Sequence, residues 1–240
     1  MKLSIIIPVY NEAKTFMPLM ERVLAVKLPK IEKEIILIES NSNDGTRDLV
    51  KKFENKKGFK IIYQKKPKGK GNALKKAFGL VTGDIVLIQD ADLEYKPEEY
   101  PELLRPILSG DTKFVLGSRH LGKQDWKIRK FITNRWYAKL LNFGGVSYTW
   151  LFNVLYGVKL TDPATMFKVF KKECIEGIKF KSNYFELDWE IVAKLIRRGF
   201  IPKEIPVSYA SRTVAEGKKI RFFRDGTLVL FAMIYFRFFK

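Results

Sequence analysis

The chain has 240 residues, of which 46% are apolar and 30% charged, so it can form a sizeable core and is too apolar to be a disordered protein. Lys and Arg number 45 against 26 Asp and Glu, and the net charge of +19 favours a polyanionic partner such as nucleic acid, anionic lipid or a phosphorylated small molecule. The single cysteine, Cys174, excludes an internal disulfide and a cysteine-based zinc site, and the single histidine, His120, excludes most histidine-dependent mechanisms.

The first half of the chain predicts strands and helices in regular alternation. Strands are predicted at residues 3–9, 34–38, 60–63, 85–88 and 114–116, and helices at residues 12–26, 44–53, 72–81 and 97–108. Nearly continuous Ile, Val and Leu strands separated by helices are typical of a mainly parallel sheet covered on both faces. We therefore predict an α/β, doubly wound fold.

The alternation stops near Trp126, where aromatic-rich helices are predicted to begin. Further strands are predicted at residues 166–169 and 204–207, and further helices at residues 187–198 and from residue 220 onwards. No internal repeat, linker or domain boundary is evident, so we expect one domain over residues 1–240.

Two apolar segments bear on a membrane location. Residues 140–158 carry no charge but contain Asn and Gly, and residues 227–236 are about half the ~20 residues that a spanning helix needs. We expect neither to span a membrane, and interfacial helices remain an alternative. Because Met1 leads directly into a predicted strand, no signal peptide is expected, and the protein is predicted to be cytoplasmic.

An acidic cluster follows the buried strand at residues 85–88. Asp90, Asp92 and Glu94 lie just beyond its carboxyl end, where ligands bind in doubly wound sheets. Asp90 and Asp92 are two residues apart, so in an extended chain they project to the same side. Such a pair suits Mg²⁺ or Mn²⁺ with phosphate oxygens as further ligands. The alternative is that these acids cap the helix beginning at Pro97 or face solvent.

Several short motifs lie at the predicted strand ends, and together they resemble one family. In chain order they are "IIIPVYNE", "NDGT", "GKGNAL", "QDADLEYKPEEYP", "GSR", "DPATMFKVF" and "RRGFIPKEIPVSYASRTVAEGKKI". Their order and spacing resemble glycosyltransferase family 2, which has the GT-A fold. Within it the chain is most similar to the polyprenyl-phosphate sugar synthases, the dolichyl-phosphate mannose and glucose synthases. The similarity covers nearly the whole chain.

The resemblance implies a metal-dependent, inverting transfer of a hexose from a nucleotide sugar to a polyprenyl phosphate. Residues 1–120 would then bind the nucleotide sugar, and residues 121–240 would bind the acceptor and supply interfacial or amphipathic helices at the C-terminal end. The nucleotide-sugar-binding residues that it implies are Pro8, Tyr10, Glu12, Glu39, Lys70, Asp90, Ala91 and Asp92. The implied ligands of Mg²⁺ or Mn²⁺ are Asp90, Asp92 and Glu94. The implied catalytic residues are Asp92, Arg119, Arg212 and Lys218.

The basic residues divide between two phosphate groups. By resemblance, Arg119 and Arg129 lie near the acceptor phosphate, and Arg212 with Lys218 lies near the leaving diphosphate. Lys219 is an alternative to Lys218. Arginine suits this role because its planar guanidinium donates two parallel hydrogen bonds to phosphate oxygens. Lys70 would contact the diphosphate. The alternative is that these cations belong to a general basic surface.

Two departures from the family leave choices open. Most relatives have Asp-Asp-Gly-Ser where this chain has Glu39-Ser40-Asn41-Ser42. Glu39 can accept a hydrogen bond from a ring N–H of either uracil or guanine, so both UDP-glucose and GDP-mannose types of donor stay open. Glu94 stands where the mannose synthases usually carry Gln.

A phosphate acceptor needs no general base, because a phosphomonoester is already an anion near neutral pH. If the acceptor were a hydroxyl, Asp188 or Glu190 in "FELDWE" would be the candidate base. The other interpretation places both acids at a helix N-terminus and pocket wall. The basic, aromatic C-terminal part predicts peripheral association with the cytoplasmic face of a membrane. A nucleic-acid-binding protein is a remote alternative, since no nucleic-acid-binding motif accompanies the charge, and we expect no nucleic acid partner.

Overall fold

The structure is a computed structural model that describes residues 1–122, 135–212 and 222–239. The strands in these ranges are β1 (Lys2–Val9), β2 (Glu32–Glu39), β3 (Phe59–Tyr63), β4 (Ile85–Ile88), β5 (Phe114–Ser118), β6 (Lys168–Lys171) and β7 (Lys203–Pro206). The α-helices are α1 (Phe16–Ala25), α2 (Thr46–Lys51), α3 (Lys70–Phe78), α4 (Tyr100–Leu108), α5 (Arg135–Tyr156), α6 (Leu187–Arg197) and α7 (Phe222–Phe238).

The seven strands form one sheet in the order β3-β2-β1-β4-β6-β5-β7. β6 runs antiparallel to both of its neighbours, and every other pair in the sheet is parallel. The predicted α/β fold with a mainly parallel sheet is therefore confirmed. The sheet core consists of fully buried aliphatic runs such as Ile5–Ile7 in β1, as expected for strands covered on both faces.

The strand order reverses beside β1. From β1 the chain moves outward through β2 and β3, and it then returns to place β4 on the other side of β1. In a doubly wound sheet, the crevice at the carboxyl ends of such strands is the usual ligand site. Here that crevice lies between the segment after Val9 and the segment after Ile88.

Two predicted boundaries differ from the structure where the chain turns near this crevice. The first helix begins at Phe16 rather than at residue 12, because Asn11 has a φ of +50° and Thr15 N–H bonds to the Glu12 carbonyl in a turn. The strand predicted at residues 166–169 begins at Lys168. The residues just before Lys168 instead contact β5 through a side chain, since the Thr165 hydroxyl donates to the Gly117 carbonyl.

The helices α5, α6 and α7 form the C-terminal layer. Tyr148 and Tyr156 of α5 donate to backbone carbonyls of α7, and Arg197 of α6 donates to the Phe236 carbonyl. α7 was predicted to be amphipathic, but its exposed side is also apolar, as Phe231 shows at 66% exposure. No helix within the described residues is both long enough and apolar enough to cross a membrane.

Candidate active site

A cavity of about 1120 Å³ opens at the crevice between the ends of β1 and β4. Its walls come from both halves of the chain. The predicted site residues that line it are Pro8, Tyr10, Glu12, Lys70, Asp90, Ala91, Asp92, Glu94, Arg119, Asp188 and Arg212. Arg129 and Lys218 lie outside the described residues.

Lys70 and Asp90 form an ion pair inside the cavity. Lys70 is the first residue of α3, and its Nζ lies 2.5 Å from Asp90 Oδ1. Burial alone would lower the pKa of Lys70, but the nearby carboxylates of Asp90 and Asp188 raise it. The Lys70 ammonium therefore stays charged beside the acidic loop after β4, which contains Asp90, Asp92 and Glu94. There it can contact an incoming diphosphate.

Asp92 lies beside two other acidic residues of the cavity wall, Asp90 and Glu94. Its Oδ1 accepts the Glu94 backbone N–H at 3.1 Å, which fixes the tight turn in which Leu93 has a φ of +61°. Burial, followed by the charges of Asp90 and Glu94, raises the pKa of Asp92 to about 7, although Arg212 opposes the shift. A cation beside these oxygens would stabilise the ionised form.

The loop fits a hard divalent cation through two side chains rather than three. Asp90 and Asp92 offer carboxylate oxygens, the ligand type that Mg²⁺ and Mn²⁺ prefer, and bound phosphate and water would supply the rest. Within the described ranges, no three His, Cys, Asp or Glu side chains are grouped as a complete metal site. The excess of negative charge around Asp92 supports this assignment.

Glu94, the predicted third ligand, is held by the segment that leads to Arg212. Its Oε1 accepts the Arg212 backbone N–H at 2.8 Å, and its Oε2 accepts the Tyr209 hydroxyl at 2.5 Å. The Glu94 carbonyl also accepts the Ala210 N–H. Glu94 therefore anchors the segment that leads to Arg212. Both oxygens of Asp92 also have protein partners, so these bonds do not separate the two acids, and Glu94 as a third ligand stays a prediction.

Glu39 also differs from its predicted role in holding the base. The side chain is fully buried, and it does not line the cavity. Its Oε1 accepts the Ser42 N–H, and its Oε2 pairs with Arg47 Nε at 2.6 Å. Glu39 therefore holds the loop after β2 through Ser42 and Arg47, and the neighbouring Ser40 lines the cavity.

The two candidate bases occupy different environments. Glu190 is fully buried, and it accepts backbone N–H groups of Lys181 and Ser182 at 2.8 Å each while it pairs with Lys194. It does not line the cavity, so the structure contradicts a role for Glu190 as a base. Asp188 does line the cavity, where burial raises its pKa.

Arg119 is held by a buried ion pair. Its Nε and Nη2 donate to the two carboxylate oxygens of Asp162 at 2.7 and 2.8 Å, and its backbone N–H donates to Asp162 Oδ2 at 3.0 Å. Burial alone would raise the pKa of Asp162, but Arg119 lowers it. Nη1 is the amino group of Arg119 that Asp162 does not engage, and Arg119 lines the cavity. The guanidinium is thus fixed before any anion arrives.

Arg212 closes the other side of the acidic loop. Its Nη1 donates to Glu12 Oε2 at 2.8 Å, and its Nη2 donates to Asp92 Oδ2 at 3.0 Å. It therefore links the turn after β1 with the loop after β4. A guanidinium so placed is suited to neutralise negative charge that develops between those loops.

Tyr209 is a cavity residue that the sequence did not single out. Its ring lies beneath the guanidinium of Arg119, with 5.0 Å from the ring centroid to Cζ, and its hydroxyl donates to Glu94. It connects the two arginines that were predicted to bind different phosphates. The only signal for it in the sequence was its place three residues before Arg212 in the motif "RRGFIPKEIPVSYASRTVAEGKKI".

The cavity continues beyond these polar groups to the helical layer. Its wall there includes Phe143, Gly144 and Tyr148 of α5, and Gly226 and Val229 of α7. A Cβ at Gly226 would lie 3.2 Å from the Tyr148 hydroxyl, so glycine leaves room at this position. Arg224 and Asp225 also line this end, so the site joins a charged crevice to a wall of apolar and charged side chains.

Comparisons with known proteins agree with this architecture. Residues 4–175 match the family model described as Glycosyl transferase family 2. A dolichol-phosphate mannosyltransferase from Pyrococcus furiosus is 30% identical over 224 residues, which are 91% of this chain and 59% of that protein. An undecaprenyl-phosphate 4-deoxy-4-formamido-L-arabinose transferase from Photorhabdus laumondii is 29% identical over 90% of this chain and 62% of that protein. The chain thus spans about three-fifths of the length of these relatives.

Solved structures support the fold. Glucosyl-3-phosphoglycerate synthase from Mycobacterium tuberculosis, in complex with Mn²⁺, uridine diphosphate and phosphoglyceric acid, superposes with a TM-score of 0.72. The match covers 100% of this chain and 79% of that one at 17% identity. A structure of the same synthase with Mg²⁺ and uridine diphosphate gives a TM-score of 0.71 at 16% identity.

Proposed function

Because the chain belongs to glycosyltransferase family 2, we propose that it transfers a hexose from a nucleotide sugar of the GDP-mannose or UDP-glucose type to a polyprenyl phosphate such as dolichyl phosphate. The observation that carries this proposal is a single cavity that contains the Asp90–Asp92 pair and two fixed arginines and then continues between α5 and α7. Its polar part suits a diphosphate and a second phosphate. Its apolar part suits a lipid tail. We also propose that residues 1–240 act as one domain.

The donor would bind at the crevice between β1 and β4. Asp90 and Asp92 would hold Mg²⁺ or Mn²⁺, which when bound neutralises charge on the diphosphate. Pro8, Tyr10 and Glu12 border the nucleotide, and Lys70 contacts the diphosphate. The relatives of known structure, which contain Mn²⁺ or Mg²⁺ with uridine diphosphate, support a divalent metal.

The acceptor phosphate would bind at Arg119, with Arg129 as a further predicted contact. A phosphate oxygen can then displace the nucleoside diphosphate in line, with inversion at the anomeric carbon. Arg212, together with the predicted Lys218, stabilises the charge that develops on the leaving group. No side chain has to remove a proton, because the attacking oxygen is already anionic near neutral pH.

A hydroxyl acceptor is the second candidate, and one observation favours it. Asp188 lies in the cavity wall and has a raised pKa, as a general base requires. In that case the acceptor would be a glycan, lipid or protein hydroxyl, and activity would not depend on a polyprenyl phosphate.

We also propose that the protein associates peripherally with a membrane, at its cytoplasmic face. Phe143, Trp150 and Val154 are 66%, 67% and 61% exposed along one side of α5, and Phe231 and Phe238 are 66% and 65% exposed on α7. Exposed apolar side chains of this extent are typical of interaction surfaces. The net charge of +19 complements anionic headgroups, and each nearby cation contributes about 1 kcal/mol.

A product assay tests the proposed transfer. Purified protein is incubated with Mn²⁺ or Mg²⁺ and a panel of UDP- and GDP-sugars, with and without a short polyprenyl phosphate, and mass spectrometry detects the sugar-linked lipid. We expect product from one donor, dependent on metal and lost in Asp92→Asn. Asp48→Asn, which removes an exposed carboxylate on α2, should leave the yield unchanged. Donor binding with product only on hydroxyl acceptors would reject the phosphate acceptor.

A further inference from the structure

One carboxylate in the cavity is left unused by the proposed phosphate transfer. Asp188 lies in the first turn of α6 and is 6% exposed. Its Oδ1 is fully buried, lies on the side of Lys168 and accepts no hydrogen bond from the residues that the structure describes. Its Oδ2 is not fully buried, so Oδ2 is the oxygen that a group in the cavity can reach. A buried carboxylate without donors is costly, so this position is built for a hydrogen-bond donor that the described chain does not supply.

A buried lysine lies behind Asp188. Lys168 in β6 is 0% exposed, donates to the Thr165 carbonyl, and holds its Nζ 4.0 Å from Asp188 Oδ1. The separation is too long for a hydrogen bond but keeps the opposite charges adjacent. Burial lowers the pKa of Lys168 to about 8, while Asp188 opposes that shift. Lys168 thus compensates the charge of Asp188 but does not donate a hydrogen bond to the Asp188 carboxylate.

The neighbours of Asp188 indicate which part of a ligand it would meet. Lys70 Nζ lies 2.5 Å from Asp90 Oδ1 and 5.7 Å from the ring centroid of Phe185. Phe185 shares the cavity wall with Asp188, so the cation lies between the loop after β4 and the start of α6. A diphosphate bound beside Asp90 and Lys70 is joined directly to the anomeric carbon of its sugar. The negative charge of Asp188 repels phosphate, whereas its carboxylate can accept hydrogen bonds from hydroxyl groups.

We propose that Asp188 accepts hydrogen bonds from hydroxyl groups of the transferred sugar, with Lys168 as the positioning residue behind it. The inference rests on the proposed function, because it requires a nucleotide-sugar donor. It assigns to Asp188 a role in donor recognition rather than in proton removal. The two roles differ in measurable ways, since recognition affects donor affinity and a base affects turnover.

Calorimetric binding separates the sugar from the nucleotide. UDP-glucose, GDP-mannose, UDP and GDP are titrated into the full chain in Mn²⁺, with wild type, Asp188→Asn and Asp188→Ala. A hydrogen bond to a charged group corresponds to about a 10- to 100-fold change in affinity. We expect that loss for the nucleotide sugar that binds the wild type, and an unchanged affinity for its nucleoside diphosphate. The control Glu173→Gln, an exposed carboxylate outside the cavity wall, should change neither.

The remaining outcomes decide between the explanations. Equal affinity of wild type and both Asp188 variants for the nucleotide sugar would overturn the inference while leaving the proposed function intact. Unchanged donor affinity with turnover lost in Asp188→Asn would identify a general base instead. If the wild type binds no nucleotide sugar, the proposed function fails and the inference fails with it. Asp188→Asn preserves shape and breaks no hydrogen bond with the described residues, and a thermal unfolding curve checks that each variant is folded.

Lys168→Met provides an independent readout of the positioning role. Removing the cation leaves Asp188 uncompensated, so we expect KM for the donor to rise while kcat changes less. Combining Lys168→Met with Asp188→Asn should add little to the loss from Asp188→Asn alone, because both act on one contact. Fully additive losses would show that Lys168 acts elsewhere.

Discussion

Asp162→Asn is expected to lower the free energy of unfolding by about 3–5 kcal/mol. The substitution keeps the size of the side chain but removes the charge that faces Arg119 across hydrogen bonds of 2.7 and 2.8 Å. Arg119 is only 7% exposed, so its charge would stay buried without a counter-charge. Breaking a buried pair is costly for that reason, even where the intact pair contributes little net stability.

The chain contains a matched control for this effect. Arg22 and Glu98 form the same two-bond geometry, at 2.8 and 2.7 Å, but their side chains are 34% and 56% exposed. Exposed pairs contribute about 0.2–1 kcal/mol. Glu98→Gln should therefore cost far less than Asp162→Asn, although the two guanidinium–carboxylate bonds are alike in both pairs and only Asp162 also accepts a backbone N–H.

Urea unfolding followed by circular dichroism measures both variants, and a double-mutant cycle isolates the pair. We expect Arg119→Met combined with Asp162→Asn to be about 2 kcal/mol less destabilising than the sum of the two single changes. Purely additive costs, or equal costs for Asp162→Asn and Glu98→Gln, would refute the reasoning that burial makes this pair indispensable.

Three further predictions concern other parts of the molecule. Burial would raise the pKa of Glu34, but hydrogen bonds from the side chains of Lys60, Ser4 and Thr82 lower this pKa from 4.5 to about 2. The ionised Glu34 therefore stabilises the fold above about pH 4.5. About 3 kcal/mol of that stability should be lost as the pH falls towards 2, and Glu34→Gln should flatten this part of the pH–stability curve measured by denaturation. Gly71→Ala should cost about 1–3 kcal/mol in the same assay, because its Cβ would lie 2.8 Å from a backbone carbon, whereas Gly79→Ala, with 3.6 Å of room, should not. Trp150→Ser should weaken flotation of the protein with anionic liposomes. Ile201 is 54% exposed on a different segment, so Ile201→Ser should leave flotation unchanged. Equal effects of the two substitutions would contradict an interface on α5.

The strands could be predicted because their aliphatic runs match the burial they acquire. Ile85–Ile88 is a strand at the predicted boundaries, since four buried apolar residues lie between polar turns. The start predicted for α1 was too early because Asn11 adopts a positive φ. This backbone conformation is supported by a hydrogen bond to the loop after β2, which the periodicity of the sequence does not reveal.

The predicted residues whose place depends on one strand reach the cavity, whereas the contacts of others depend on partners distant in the sequence. Asp90 and Asp92 reach the cavity because they follow β4 directly. Glu94 follows the same strand, but Arg212 and Tyr209, more than 100 residues later, take its oxygens. Glu39 is likewise turned away from the cavity by Arg47. A resemblance between motifs carries over the acid but not the partner that competes for it.

The antiparallel strand β6 determines the order in which this sheet can be completed. β5 precedes β6 in the chain, yet it is joined to β4 only through β6, with residues 119–167 between the two. A nascent chain that has emerged only as far as β5 therefore has no place for that strand beside β4. The edge of β4 stays unpaired until β6 is made, and during that time the chain is vulnerable to aggregation. Asp162 and Lys168 lie after residues 119–161 in the chain and contact Arg119 and Asp188, so this side of the cavity cannot be completed before that segment has been made.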